Sequence, residues 1–170
     1  RPYKKHTYHN FNWRGWQEFG TGALGDMGCH IIDPAVWGLE LGAPSSVIAK
    51  VKGSSHETYP VASTVHYKFP GTKHTADQLD LYWHDGGNSF PKEYAKMIGR
   101  NNNGSLFIGE KGQVVLRHGS GIPRIYPLED YKDYSQTTLK ELYKNYAAEK
   151  LDHYRVWTDA IQNGTQANSH

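Results

Sequence analysis

The sequence predicts an α+β fold, with a mostly antiparallel or mixed, open β-sheet and helices packed on one face. Three segments between residues 47 and 84 alternate apolar and polar side chains with the period of two that is typical of strands. Short turn sequences separate these segments, and helical patterns lie on either side of the strand-rich region. The chain shows no βαβ alternation with a glycine-rich phosphate loop, which disfavours a doubly wound parallel sheet.

The first helix is predicted over residues 23–42, after an extended arm or loop that covers residues 1–22. Pro34 lacks a backbone N–H and crowds the preceding turn, so it should kink this helix or divide it. Asp33 could then cap a second short helix that has Pro34 at its first position. Gly42 ends the helical segment.

Three strands follow at close spacing, over residues 47–51, 61–69 and 78–84. The turn sequences Pro70-Gly71 and Asp85-Gly86-Gly87 end the second and the third strand. Connections this short cannot hold a crossover helix, so neighbouring strands should pair antiparallel.

The second half of the chain is predicted to contain one long polar loop, one hairpin and one helix. They are a loop over residues 86–104 with a helical turn near residues 93–98, a hairpin of residues 105–108 and 113–117, and a helix over residues 148–162. The sequence from residue 116 to residue 134 is loop-like. Gly164 supplies the stop of the last helix.

Composition narrows the classes of function. Hydrophobic residues make up 37% and aromatic residues 13% of the 170 residues, so a folded domain is expected. The net charge of +2 comes without a Lys/Arg block, which disfavours nucleic-acid binding. No stretch approaches the roughly 20 apolar residues that span a bilayer. The single cysteine, Cys29, excludes an internal disulfide and is expected to be a small buried residue.

The sharpest local motif is Asp26-x-x-x-His30. On a helix these side chains lie one turn apart on the same face, and Asp33 falls near the same stripe. A histidine beside a carboxylate is an arrangement that tunes a proton acceptor. Gly22, Gly25 and other nearby glycines cost helix stability, which is reasonable where a ligand or another backbone must approach closely. The alternative is a polar helix stripe or a helix cap.

Motifs along nearly the whole chain resemble the C-terminal domain of the Gfo/Idh/MocA oxidoreductases, in a bacterial branch of that family. In chain order they are Trp13-Arg14-Gly15-Trp16, the run from Phe19 to Pro34 with its D-M-G-C-H, L-G-A-P-S-S-V at 41–47, W-H-D-G-G at 83–87, G-S-L-F-I-G-E-K-G at 104–112, P-R-I-Y-P at 123–127, and the late helix from His153 to Ile161. His84 departs from the tyrosine that is usual in the fourth of these motifs.

The resemblance implies that His30 is the acid/base on a substrate carbinol or carbonyl and that Asp26 supports it. It also implies NAD or NADP in the full-length parent, bound by an N-terminal Rossmann domain whose E-K-P lysine has no counterpart here. We therefore expect residues 1–170 to be a single C-terminal domain without its Rossmann domain and with a truncated tail. No cofactor-binding residue and no metal ligand is expected in this chain.

Besides His30 and Asp26, five residues are candidates for substrate binding, and they are Arg14, Trp13, Asp33, His84 and Asp85. Arg14, held between tryptophans, could bind a carboxylate, a hydroxyl pair or a cofactor phosphate, or could be a cation–π clamp. Trp13 is adjacent to Arg14 in the sequence, and Asp33 falls near the helix stripe that carries His30. His84 and Asp85 end a strand and could line a cleft, although an aspartate that caps a turn is the alternative for Asp85.

The leading prediction is a substrate-binding and oligomerisation domain of an NAD(P)-dependent oxidoreductase that acts on a sugar, cyclitol or related polyol. Its expected partners are that small molecule and further copies of the chain, paired through the sheet. Two alternatives stay open: a non-catalytic carbohydrate-binding or dimerisation module, and an NAD-dependent glycosidase of the same family. A metal-dependent hydrolase built on Asp26, His30 and Asp33 is disfavoured, because the ligand set is small.

Overall fold

The computed structural model describes residues 2–88, 93–94, 97, 103–118, 122–148 and 153–166. It contains helices and two three-stranded sheets, which confirms the α+β class. The chain divides into two compact units, Arg1–Leu106 and Phe107–His170. None of the described helices has both the length and the apolar character needed to cross a membrane.

The first unit begins with an arm that contains a short 3-10 helix, Asn12–Gly15. Helix α1 (Gly22–Ile31) and helix α2 (Asp33–Gly38) follow, so the predicted division at Pro34 is confirmed. The predicted capping role of Asp33 is wrong. Ile32 holds the N-cap position in an α-helical conformation, and no side chain caps α2.

Strands β1 (Ser46–Lys52), β2 (Ala62–Pro70) and β3 (Gln78–His84) form the first sheet in the order β1-β2-β3. Both pairs are antiparallel, as the short connections predict. The predicted apolar face is confirmed on β2 and β3, where the side chains of Val65, Phe69 and Trp83 are buried. The other face carries His66 opposite Tyr82 and is called the open face below.

Gly86 ends this sheet with a close backbone approach. Its φ of +65° lies in the left-handed region, and a Cβ there would collide with the carbonyl oxygen of Val61 and with Ala62. The Asp85-Gly86-Gly87 turn therefore needs glycine at this position for steric reasons.

Strands β4 (Gly104–Gly109), β5 (Gly112–Arg117) and β6 (Arg124–Tyr126) form the second sheet in the order β4-β5-β6. The boundary between the two units falls within β4. The predicted hairpin is confirmed. The three-residue strand β6 lies in sequence that predicted only a loop, because so short a strand offers hardly one period of alternation.

The helices of the second unit are α3 (Lys132–Tyr134), a π-helical turn (Ser135–Leu139), α4 (Lys140–Ala148) and α5 (His153–Asn163). Helix α5 confirms the predicted late helix in part, since residues 149–152 lie outside the described residues, and Gly164 follows it with a φ of +63°. The sequence did not predict the run before it. The helical turn predicted near residues 93–98 falls largely outside the described residues.

Candidate functional site

The arm before α1 holds Arg14 against Asp26. The Arg14 Nε donates to Asp26 Oδ2 at 2.9 Å, and Nη1 donates to the carbonyl oxygens of Asn10 and Phe11 at 3.3 Å each. The guanidinium carbon lies 4.9 Å from the ring centroids of both Phe11 and Trp13. A cation–π clamp is therefore present, but Phe11 and Trp13 form it rather than the two tryptophans of the prediction. It fixes a charged pair whose side chains are 31% and 32% exposed.

The glycines around the start of α1 let neighbouring groups approach closely. A Cβ on Gly20 would lie 2.6 Å from the carbonyl oxygen of Arg14, and one on Gly22 would lie 2.8 Å from the side chain of Tyr59. A Cβ on Gly25 would collide with the side chain of Thr21. Close contact with the protein itself thus explains these three glycines.

Gly20, Gly22 and Gly25 also have the G-x-G-x-x-G spacing of dinucleotide-binding loops. The prediction that this chain has no glycine-rich phosphate loop overlooked this spacing. In such loops the motif follows a strand. Here Gly20 follows a turn, and the first strand of the sheet begins only after α2. The spacing therefore occurs outside the strand–loop–helix setting that gives it meaning.

Asp26 and His30 lie one turn apart on α1, as the sequence predicts, and His30 is exposed in the last turn. Among the described residues, the hydrogen-bond partner of the Asp26 carboxylate is Arg14 rather than His30. The two predicted catalytic groups thus share a helix face that reaches solvent, without a hydrogen bond between them.

Two neighbours of this pair are open to solvent. Asp33 is exposed at the first position of α2. Cys29 is also exposed, so its predicted burial is wrong. Its position on α1 faces away from the packed side of the helix, and its Sγ lies 3.6 Å from the Asp26 carbonyl oxygen.

Asp85 lies elsewhere, at the end of β3, where both of its carboxylate oxygens are occupied. Oδ1 accepts a hydrogen bond from the Ser63 backbone N–H, and Oδ2 accepts from the Ser63 hydroxyl and the Trp83 indole N–H at 2.7 Å each. Ser63 and Trp83 are buried. Through these hydrogen bonds Asp85 joins β2 to the end of β3, and this set of bonds is called the Asp85 lock below.

His84 lies on the open face beside this lock. Its Nδ1 lies 3.2 Å from the Thr64 hydroxyl, and its ring plane is within 12° of that of Tyr82. Burial lowers the pKa of His84, an effect that the negative charge of Asp85 opposes in part. The burial therefore favours the neutral imidazole.

A second histidine on the open face was missed by the sequence reasoning. His66 Nε2 lies 2.6 Å from Asp80 Oδ1, and its ring stacks on Tyr82 at 4.3 Å with 9° between the planes. The hydrogen bond from His66 lowers the pKa of Asp80, and Gln78 adds to the effect. The described residues contain no group of three or more His, Cys, Asp or Glu side chains that could hold a metal ion.

A family model described as the GFO/IDH/MocA C-terminal domain matches residues 1–88, which is just over half of the 170 residues. The match covers the arm, both helices and the whole first sheet. It thus contains the Arg14–Asp26 pair, His30 and the Asp85 lock. A comparison with curated proteins gives no significant match.

Proposed function

Because the chain belongs to the Gfo/Idh/MocA C-terminal domain family, we propose that it is the substrate-binding and oligomerisation domain of an NAD(P)-dependent oxidoreductase acting on a sugar, cyclitol or related polyol. The observation that carries the proposal is the face of α1 on which Asp26 and His30 lie one turn apart and reach solvent. We assign residues 1–170 as a whole to this C-terminal domain.

In this proposal His30 removes the proton from a substrate hydroxyl while the carbon that bears it is oxidised to a carbonyl. Asp26 supports the positive charge that then develops on the imidazole, from one helical turn away. The cofactor supplies the hydride chemistry. The described residues do not fit a dinucleotide, because the only loop with suitable glycine spacing is packed against Arg14, Tyr59 and Thr21. We therefore place the cofactor on another part of the parent protein.

The first test compares the full-length parent with this chain alone. The parent should reduce NAD or NADP in the presence of a polyol, whereas the isolated chain should bind neither cofactor, because it offers no phosphate loop. Isothermal calorimetry on the chain and absorbance at the nicotinamide band on the parent measure the two parts. Micromolar binding of NAD or NADP by the chain alone would contradict this assignment.

The oligomerisation part of the proposal rests on the open face of the first sheet. Ile48 and Tyr82 lie there on β1 and β3 and are 56% and 54% exposed. Ala62 also belongs to this face by the alternation along β2, but it is buried beside Gly86 and adds nothing to this surface. Two large apolar side chains on one solvent-facing sheet are what a second copy would cover.

Replacing Ile48 with Glu should weaken self-association at least tenfold, because pairing would then bury a charge. Sedimentation velocity over a range of concentrations measures the effect. The matched control is Ile108→Glu on β4, since Ile108 is 62% exposed and also lies on a strand. Equal weakening by both variants, or a wild-type chain that stays monomeric at high concentration, would count against the open face as the interface.

A further inference from the structure

The Arg14–Asp26 pair keeps hydrogen-bonding capacity that the protein does not use. A guanidinium has five N–H donors. Nε is bonded to Asp26 and Nη1 to the carbonyl oxygens of Asn10 and Phe11. Among the described residues, Nη2 of Arg14 and Oδ1 of Asp26 have no hydrogen-bond partner, so one donor group and one acceptor remain available.

The available donor and acceptor belong to the two partners of one ion pair. Nη2 shares an edge of the planar guanidinium with Nε, and Nε holds the other oxygen of the same carboxylate at 2.9 Å. Both side chains are about one third exposed, so a ligand can reach them. The rings of Phe11 and Trp13 restrain the guanidinium, which makes the edge preorganised for binding.

The charge of the pair selects the kind of ligand. An anion that approached Nη2 would be attracted by Arg14 and repelled by Asp26 over similar distances, so the two effects largely cancel. A hydroxyl group, in contrast, can accept from Nη2 while a neighbouring hydroxyl donates to Oδ1. The edge therefore matches two adjacent neutral hydroxyls and offers little to a carboxylate or a phosphate.

We propose that the Arg14–Asp26 pair is a specificity-determining site that binds a neutral vicinal diol and discriminates against anionic groups. The inference depends on the proposed function only in taking the substrate to be a polyol. Arg14 alone could bind a carboxylate, a phosphate or a hydroxyl pair. The ion pair with Asp26 favours the hydroxyl pair, because it removes the net positive charge that a carboxylate or phosphate would need.

The test uses the full chain with two probes, myo-inositol and inorganic phosphate, at matched ionic strength. The reporter is the indole N–H signal of Trp13 in two-dimensional NMR, since this N–H donates to the Asn10 carbonyl at 3.0 Å beside the guanidinium. We expect saturable shifts with myo-inositol at millimolar concentration and none with phosphate. Asp26→Asn should weaken myo-inositol binding about tenfold and should make phosphate binding saturable, because Arg14 is then uncompensated.

Asp77→Asn is the matched control. It removes the same charge from an exposed position just before β3 and should keep the wild-type preference. An unchanged indole signal from the buried Trp83 verifies folding. Arg14→Lys lacks the Nη2 edge, so it should lose myo-inositol binding without gaining phosphate binding.

Wild-type binding of phosphate as tight as that of myo-inositol, or no saturable binding of myo-inositol, would overturn the inference. A parent protein that oxidises polyols would still support the proposed function in that case. A parent without redox turnover, in contrast, would remove the function and leave the diol preference standing.

Discussion

Replacing His30 with Ala in the full-length parent should lower the catalytic rate by roughly 10²–10⁴, the range typical of general acid–base groups. The imidazole is exposed on the face of α1 that reaches solvent, so the change removes a proton acceptor without opening a cavity. Steady-state kinetics over a range of pH measures the loss. Cofactor affinity should be nearly unchanged, because we place the cofactor on another part of the parent.

Asp26→Asn gives the comparison for this prediction. It should reduce the rate less than His30→Ala and should move the pH–rate profile, since it removes a negative charge one turn from the imidazole. Thermal unfolding of both variants should stay close to that of the wild type. If the parent with His30→Ala kept near-normal turnover, or if it lost stability with no specific loss in rate, His30 would be part of a polar helix stripe instead.

Replacing Asp85 with Ala should cause a large loss of stability, about 3–5 kcal/mol in the free energy of unfolding. Three donors depend on this carboxylate: the backbone N–H and the hydroxyl of Ser63, and the indole N–H of Trp83. Ser63 and Trp83 are buried, so water cannot easily take the place of the lost acceptor. Urea denaturation followed by tryptophan fluorescence measures the change.

Asp33→Ala is the control for this effect, because Asp33 is exposed and should shift the free energy of unfolding by less than about 0.5 kcal/mol. Asp85→Asn should lie between the two, since the amide oxygen keeps one acceptor. A substrate-binding role of Asp85 predicts the opposite result. In that case Asp85→Ala would leave the free energy of unfolding unchanged and would abolish polyol binding.

The sequence predicts the elements of this fold where their pattern is strong and local. The period of two over β2 and β3, the chain division at Pro34 and the hairpin of β4 and β5 all appear in the structure. These features depend on backbone geometry over a few residues, which the order of side chains reveals directly. The missed strand β6 and the helical run before α5 carry weaker local patterns, and packing decides their conformation.

The sequence by itself also determined that Asp26 and His30 share one face of a helix, because a spacing of four residues is nearly one turn. Only the tertiary structure decided what each polar group is bonded to. Asp26 is bonded to Arg14, 12 residues away, Asp85 locks Ser63, 22 residues away, and His66 meets Asp80 only through the register of β2 and β3. These partners are set by how segments distant in the sequence align in the fold. The order of residues within one helix or strand does not determine that alignment, so the sequence pattern could not predict the partners.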